Sequence, residues 1–68
     1  MQLRIEFEQE DDGRWLAEIP SLPGVMVYGQ TRDEVSAKVQ ALALRVVAER
    51  LEHQEASPQL VDISFIAA

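Results

Sequence analysis

Glu10-Asp11-Asp12-Gly13-Arg14-Trp15-Leu16-Ala17-Glu18-Ile19-Pro20-Ser21-Leu22-Pro23-Gly24 is the stretch from which the fold follows. Asp12-Gly13 supplies the positive-φ geometry that a tight hairpin needs. After it, Trp15, Ala17 and Ile19 alternate with Leu16 and Glu18, the period-two pattern of a strand with one buried face. Pro20 and Pro23 cannot donate to a ladder, and Pro23-Gly24 punctuates a turn, so the strand stops there. Moving outward, Leu3, Ile5 and Phe7 alternate with Arg4, Glu6 and Glu8 in a strand before the turn. Val25-Met26-Val27-Tyr28 reads as a third strand, closed by Gly29.

Thr31-Arg32-Asp33-Glu34 fits a capping box, in which the Thr31 hydroxyl and the Glu34 carboxylate satisfy amide groups at a helix start. Asp33 and Glu34 also suit the positive end of the helix dipole. No Gly or Pro interrupts the chain from there to about His53, and Val35, Val39, Leu42, Val46 and Val47 recur at helical spacing. Such a helix, roughly 30 Å long at 1.5 Å per residue, overhangs a sheet this small. Ser57-Pro58 ends it, and Leu60 to Ile66 gives a fourth strand with Val61, Ile63 and Phe65 on one face. The order β-β-β-α-β predicts an α+β fold. Its four-stranded mixed sheet has order 3-2-1-4, with one long helix on one face and the fourth strand parallel to the first through a right-handed crossover. One domain, residues 1–68, is expected to fill the chain.

A chain of 68 residues without cysteine buries only about 60% of its unfolded surface and has no disulfides to compensate. Oligomerisation is the remaining common reinforcement, so a homo-oligomer is expected. Twelve acidic residues against six basic ones give a net charge of -6. The basic residues, Arg4, Arg14, Arg32, Lys38, Arg45 and Arg50, are scattered through the chain. That balance opposes direct nucleic-acid binding, which needs clustered cations on phosphates, and favours basic protein partners. The alternating start is not a signal peptide and no stretch reaches the roughly 20 apolar residues of a membrane span, so a cytoplasmic protein is expected.

A single helix covers one face of the sheet. With Ile5, Phe7, Trp15, Ala17, Val25, Val27, Ile63 and Phe65 turned towards it, the other face shows Arg4, Glu6, Glu8, Leu16, Glu18, Met26, Tyr28, Leu60, Asp62, Ser64 and Ile66. Leu16, Met26 and Tyr28 form an apolar centre, and Glu6, Glu8, Glu18 and Asp62 a carboxylate fringe, which is the composition of a partner or self-association surface.

Catalytic chemistry finds little footing. His53 is the only histidine and has no second histidine or cysteine with which to build a zinc site. Ser21, Ser36, Ser57 and Ser64 lack a nucleophile-elbow context. Glu6 and Glu8, with Asp62 on the neighbouring strand, have the arrangement of a Mg²⁺-dependent nuclease site. The lack of a basic track for nucleic acid argues against that use. No catalytic residue, metal or cofactor is expected, and the chain is read as a non-enzyme.

The acidic-Gly-aromatic run of Glu10 to Trp15, followed by Pro20 and then Leu22-Pro23-Gly24, resembles the HicB antitoxin family. Tyr28-Gly29-Gln30-Thr31-Arg32-Asp33-Glu34-Val35 is similar to that family's Gly-x-Thr-x-x-Glu-Ala approach to its helix. The resemblance spans residues 3 to about 52. It implies a partial ribonuclease-H-like domain without nuclease activity, which neutralises a small basic HicA-type ribonuclease toxin by covering it. Longer family members continue into a DNA-binding domain; this chain ends at Ala68, so autoregulatory DNA binding is not expected. An orphan oligomeric regulator or scaffold without a toxin is the alternative.

Overall fold

The hairpin that opens the molecule is closed by its own turn. Glu10 N–H donates to Arg14 O at 2.7 Å and Gly13 N–H to Glu10 O at 2.9 Å. The Asp12 carboxylate takes both the Arg14 N–H, at 3.1 Å, and the Arg14 Nε, at 2.8 Å. The computed structural model describes residues 1–53 and 62–68. On either side of this turn lie β1 (Gln2–Gln9) and β2 (Trp15–Glu18), antiparallel, with Phe7 opposite Ala17 and Glu8 opposite Leu16.

After β2 the chain folds through Pro20 to Gly24 around Leu22, which is buried. Val25 N–H donates to Leu22 O at 3.0 Å, with Pro23 first and Gly24 second between them. That is the residue order of a type II turn, and Gly24 supplies the required left-handed backbone at φ 86°. β3 (Met26–Gly29) then pairs antiparallel with β2. Helix α1 (Arg32–Glu52) returns the chain, and β4 (Ser64–Ala67) lies parallel to β1, completing a sheet of order β3-β2-β1-β4 with one helix. This is the α+β architecture expected from the sequence.

The start of α1 departs slightly from the expected box. Glu34 N–H donates to Thr31 Oγ1 at 3.0 Å, but the Glu34 carboxylate accepts chiefly from Gln30 N–H, at 2.7 Å, one residue before the cap. Lys38 Nζ, 3.2 Å from Glu34 Oε1, adds an ion pair one turn on. Gly29 is buried beneath this turn; a Cβ there would stand 2.7 Å from Val35 Cγ1. The absent side chain is what lets the helix start so close to β3.

The core comprises Leu3, Ile5, Ala17, Ile19, Leu22, Val25, Val35, Val39, Ala43 and Val47, with Phe7, Trp15, Val27, Leu42, Val46 and Phe65 packed at its rim. Three expectations are corrected. The buried helical stripe is Val35, Val39, Ala43 and Val47, while Leu42 and Val46 flank it half-buried. Trp15 is half-buried, because it sits at the strand end beside the hairpin turn. The fourth strand starts at Ser64, so Ile63 precedes it and is 39% exposed; Leu60 and Val61 lie outside the described residues. The buried stripe ends at Val47, and the helix runs on to Glu52.

Two outcomes follow from this packing. Ile19, 0% exposed, should cost about 2–5 kcal/mol on replacement by Ala, a large share of the total of about 3–10 kcal/mol that this length supports. Trp15→Ala should cost less despite the larger side chain, and urea titration that reversed the order would put Trp15 in the core. Separately, the hydrogen bond from Gln30 N–H, then Lys38, holds the Glu34 carboxyl below its ordinary pKa. A depressed folded value means stability that is complete above the ordinary carboxylate range and lost as pH falls through the folded pKa. Glu34→Gln should flatten that part of the stability–pH profile; an unaltered acid limb would remove Glu34 as its source.

Candidate interaction face

Strand alternation places Arg4, Glu6 and Glu8 of β1, Leu16 and Glu18 of β2, Met26 and Tyr28 of β3, and Ser64 and Ile66 of β4 opposite to the core. Register sets them in rows. Glu6 faces Glu18, which faces Met26; Glu8 faces Leu16, which faces Tyr28. The structure therefore gathers Glu6, Glu8, Leu16, Glu18, Met26 and Tyr28 into one patch. Met26 is 49% exposed and Tyr28 44%, with Leu16 half-buried between the strands.

Glu6, Glu8, Leu16 and Glu18, with Phe7 and Ala68, line an open concavity of about 420 Å³. Glu6 and Glu18 are directly opposed like charges, an arrangement that destabilises a sheet. Among the described residues the ion pairs are Arg14–Asp12 and Lys38–Glu34, and neither involves Glu6, Glu8 or Glu18. Three carboxylates thus surround an apolar floor with no cation paired to them.

Asp62 does not belong to this patch. Ser64 is opposite Gln2, and Glu6 lies four residues further along β1, about 13 Å at 3.3 Å per residue. Asp62 precedes Ser64, at the other end of the sheet, where its carbonyl accepts from the Met1 amino group at 2.6 Å. The grouping of Glu6, Glu8 and Asp62 that a two-strand metal site would require is absent, because a parallel register joins the starts of β1 and β4. Among the described residues no three His, Asp or Glu side chains are placed to hold a metal ion. Thr31 and Glu34 are on the helix side of the molecule, where they act on the helix start alone.

One contact was not visible in the sequence pattern. The Arg14 guanidinium lies 4.9 Å from the centre of the Tyr28 ring, a cation–π arrangement that restrains the exposed aromatic. The antiparallel pairing of Trp15 with Gly29 brings the two residues together, and that register is not encoded in either segment by itself. His53 caps the far end of the helix, exposed, with its backbone N–H on Glu49 O at 3.0 Å. No helix among the described residues is long and apolar enough to cross a membrane. The chain matches no family model, no curated protein and no solved structure.

Replacing one carboxylate should make the domain more stable. Glu6→Lys turns a like-charge cross-strand pair into an opposite one, worth roughly 0.2–1 kcal/mol. A lower denaturation midpoint for this variant would show that the Glu6–Glu18 repulsion is not felt.

Proposed function

We propose that this chain is a non-catalytic, antitoxin-like binding module whose open sheet face covers a small basic protein. The observation that carries the reading is the trio Glu6, Glu8 and Glu18, without paired cations, around Leu16 and beside exposed Met26 and Tyr28. The net charge of -6 steers such a surface towards cationic partners and speeds their encounter. The apolar residues, once covered, slow dissociation. The likeness of Glu10 to Gly24 to the HicB family makes a HicA-type ribonuclease toxin the partner of choice, neutralised by having its catalytic surface masked. A toxin of that kind acts on cellular RNA, so the reading places the complex in the cytoplasm.

The repulsion between Glu6 and Glu18 supports the same reading. A partner cation seated between them would relieve it, and a site kept for binding commonly carries such a cost in stability.

The test is co-expression with a HicA-type toxin, scored for growth and for a co-purifying complex, with affinity measured by calorimetry. Tyr28→Ala should weaken the complex by about 1–2 kcal/mol, as truncation of a central interface aromatic does. Glu6→Lys should slow association and flatten its salt dependence. Growth rescue without a stable complex would refute masking, and an affinity unchanged by both substitutions would move the interface elsewhere.

A further inference from the structure

The outer edge of β4 offers a second surface, of different chemistry. Ser64 N–H donates to Met1 O at 2.9 Å and Ala68 N–H to Ile5 O at 2.8 Å. The even-numbered residues of β4 thus turn their backbone groups to β1, and alternation turns those of Phe65 and Ala67 outward. β4 is the last strand of the order β3-β2-β1-β4. Among the described residues no backbone group outside the strand ladders bonds to Phe65 or Ala67.

Edge strands of isolated proteins are commonly blunted by Lys, by charge or by Pro. The opposite edge of this sheet follows that rule. Pairing of Ile19 with Val25 through Ile19 N–H on Val25 O means that Tyr28 turns its carbonyl outward, and Lys38 Nζ meets that carbonyl at 3.3 Å. Among the described residues β4 has no such guard: Ser64, Phe65, Ile66 and Ala67 are all uncharged. Ile66 is 44% exposed, and Ile63 and Met1, towards the start of the strand, are exposed as well.

We propose that β4 pairs antiparallel with β4 of a second copy about a two-fold axis at Ile66, joining two sheets into one of eight strands. The edge itself specifies a strand as occupant, since its outward N–H and C=O groups require one. A second copy is the occupant because the strip is uncharged and fits itself: two chains of net charge -6 meet along it without a like-charge contact. The register is self-complementary. Ile66 meets Ile66 of the second copy on the open face as a close, non-hydrogen-bonded pair. On the helix side Phe65, already half-buried, meets the small Ala67, and their outward backbone groups bond. This pairing needs no toxin and stands apart from the reading of the open face.

The experiment is sedimentation of the full chain at high micromolar concentration, with two variants. Wild type should sediment as a dimer. Ala67→Pro removes an outward N–H that β1 does not use, so it should leave the circular dichroism spectrum unchanged and give a monomer. Ile66→Cys introduces the only thiol in the chain, placed opposite its symmetry mate, and should form a disulfide-linked dimer on mild oxidation, whereas Ser64→Cys should not. A monomeric wild type, a dimeric Ala67→Pro with native circular dichroism, or no cross-link through Ile66→Cys would each overturn the proposal.

Discussion

The seat of the helix against β3 is the constraint on which the molecule turns. Gly29 has no side chain, and Val35 occupies the space that a Cβ would need. From that point the stripe Val35, Val39, Ala43 and Val47 runs along the sheet, meeting β2 and β3 more than β1. The consequence is uneven cover. Leu3, Ile5, Ala17, Ile19 and Val25 are buried, while Phe7, Trp15 and Val27 towards the hairpin end, and Phe65 on β4, stay half-buried. Arg32, in the first turn of the helix, lays its guanidinium 4.3 Å from the centre of the Phe7 ring. A charged side chain thereby shields an aromatic at the rim of the core.

The opposite face has no such cover, and its chemistry follows from register. Had β1 and β2 paired with a two-residue offset, Glu6 would no longer oppose Glu18. The hairpin clasp between Asp12 and Arg14 fixes the pairing that makes them neighbours. Burial of the core and repulsion on the surface are therefore set by the same turn. A fold that tolerates such a pair loses a little stability and keeps two carboxylates side by side, which is useful where a cation must dock.

How much of this was legible in the sequence depended on whether a feature was local. The turn at Asp12-Gly13, the stop at Pro20 to Gly24 and the helix start at Thr31 are each specified by a few adjacent residues, and all are found where the residues place them. The part of the open patch that lies on β1, β2 and β3 was legible too, because a two-residue period assigns faces without reference to partners. What failed were statements about position along an element. Leu42 outranks Ala43 by volume, but burial follows the angle on the helix, and Ala43 lies on the line from Val35 to Val47. The alternation from Leu60 to Ile66 is real in the sequence, yet β1 accepts its partner from Ser64 onward, and this detached Asp62 from the carboxylates it was grouped with. Parallel pairing across a long connection leaves no local mark of its register.

The two surfaces differ in what they ask of a partner, and geometry makes them compatible. A two-fold axis that joins β4 strands edge to edge stands perpendicular to the sheet, so both helices fall on one side and both open faces on the other. Ile66 borders Arg4 across the β1–β4 ladder, while Glu6, Glu8 and Glu18 lie further towards the hairpin. An antiparallel join would therefore set the two carboxylate patches at opposite ends of one continuous surface, with the Ile66 pair and the flanking Arg4 side chains between them. Such an arrangement presents two identical sites in fixed relation, and occupation of one leaves the other free. Edge pairing of this kind would add stability to a core that counts ten buried residues among those described, and would leave the open face uncovered.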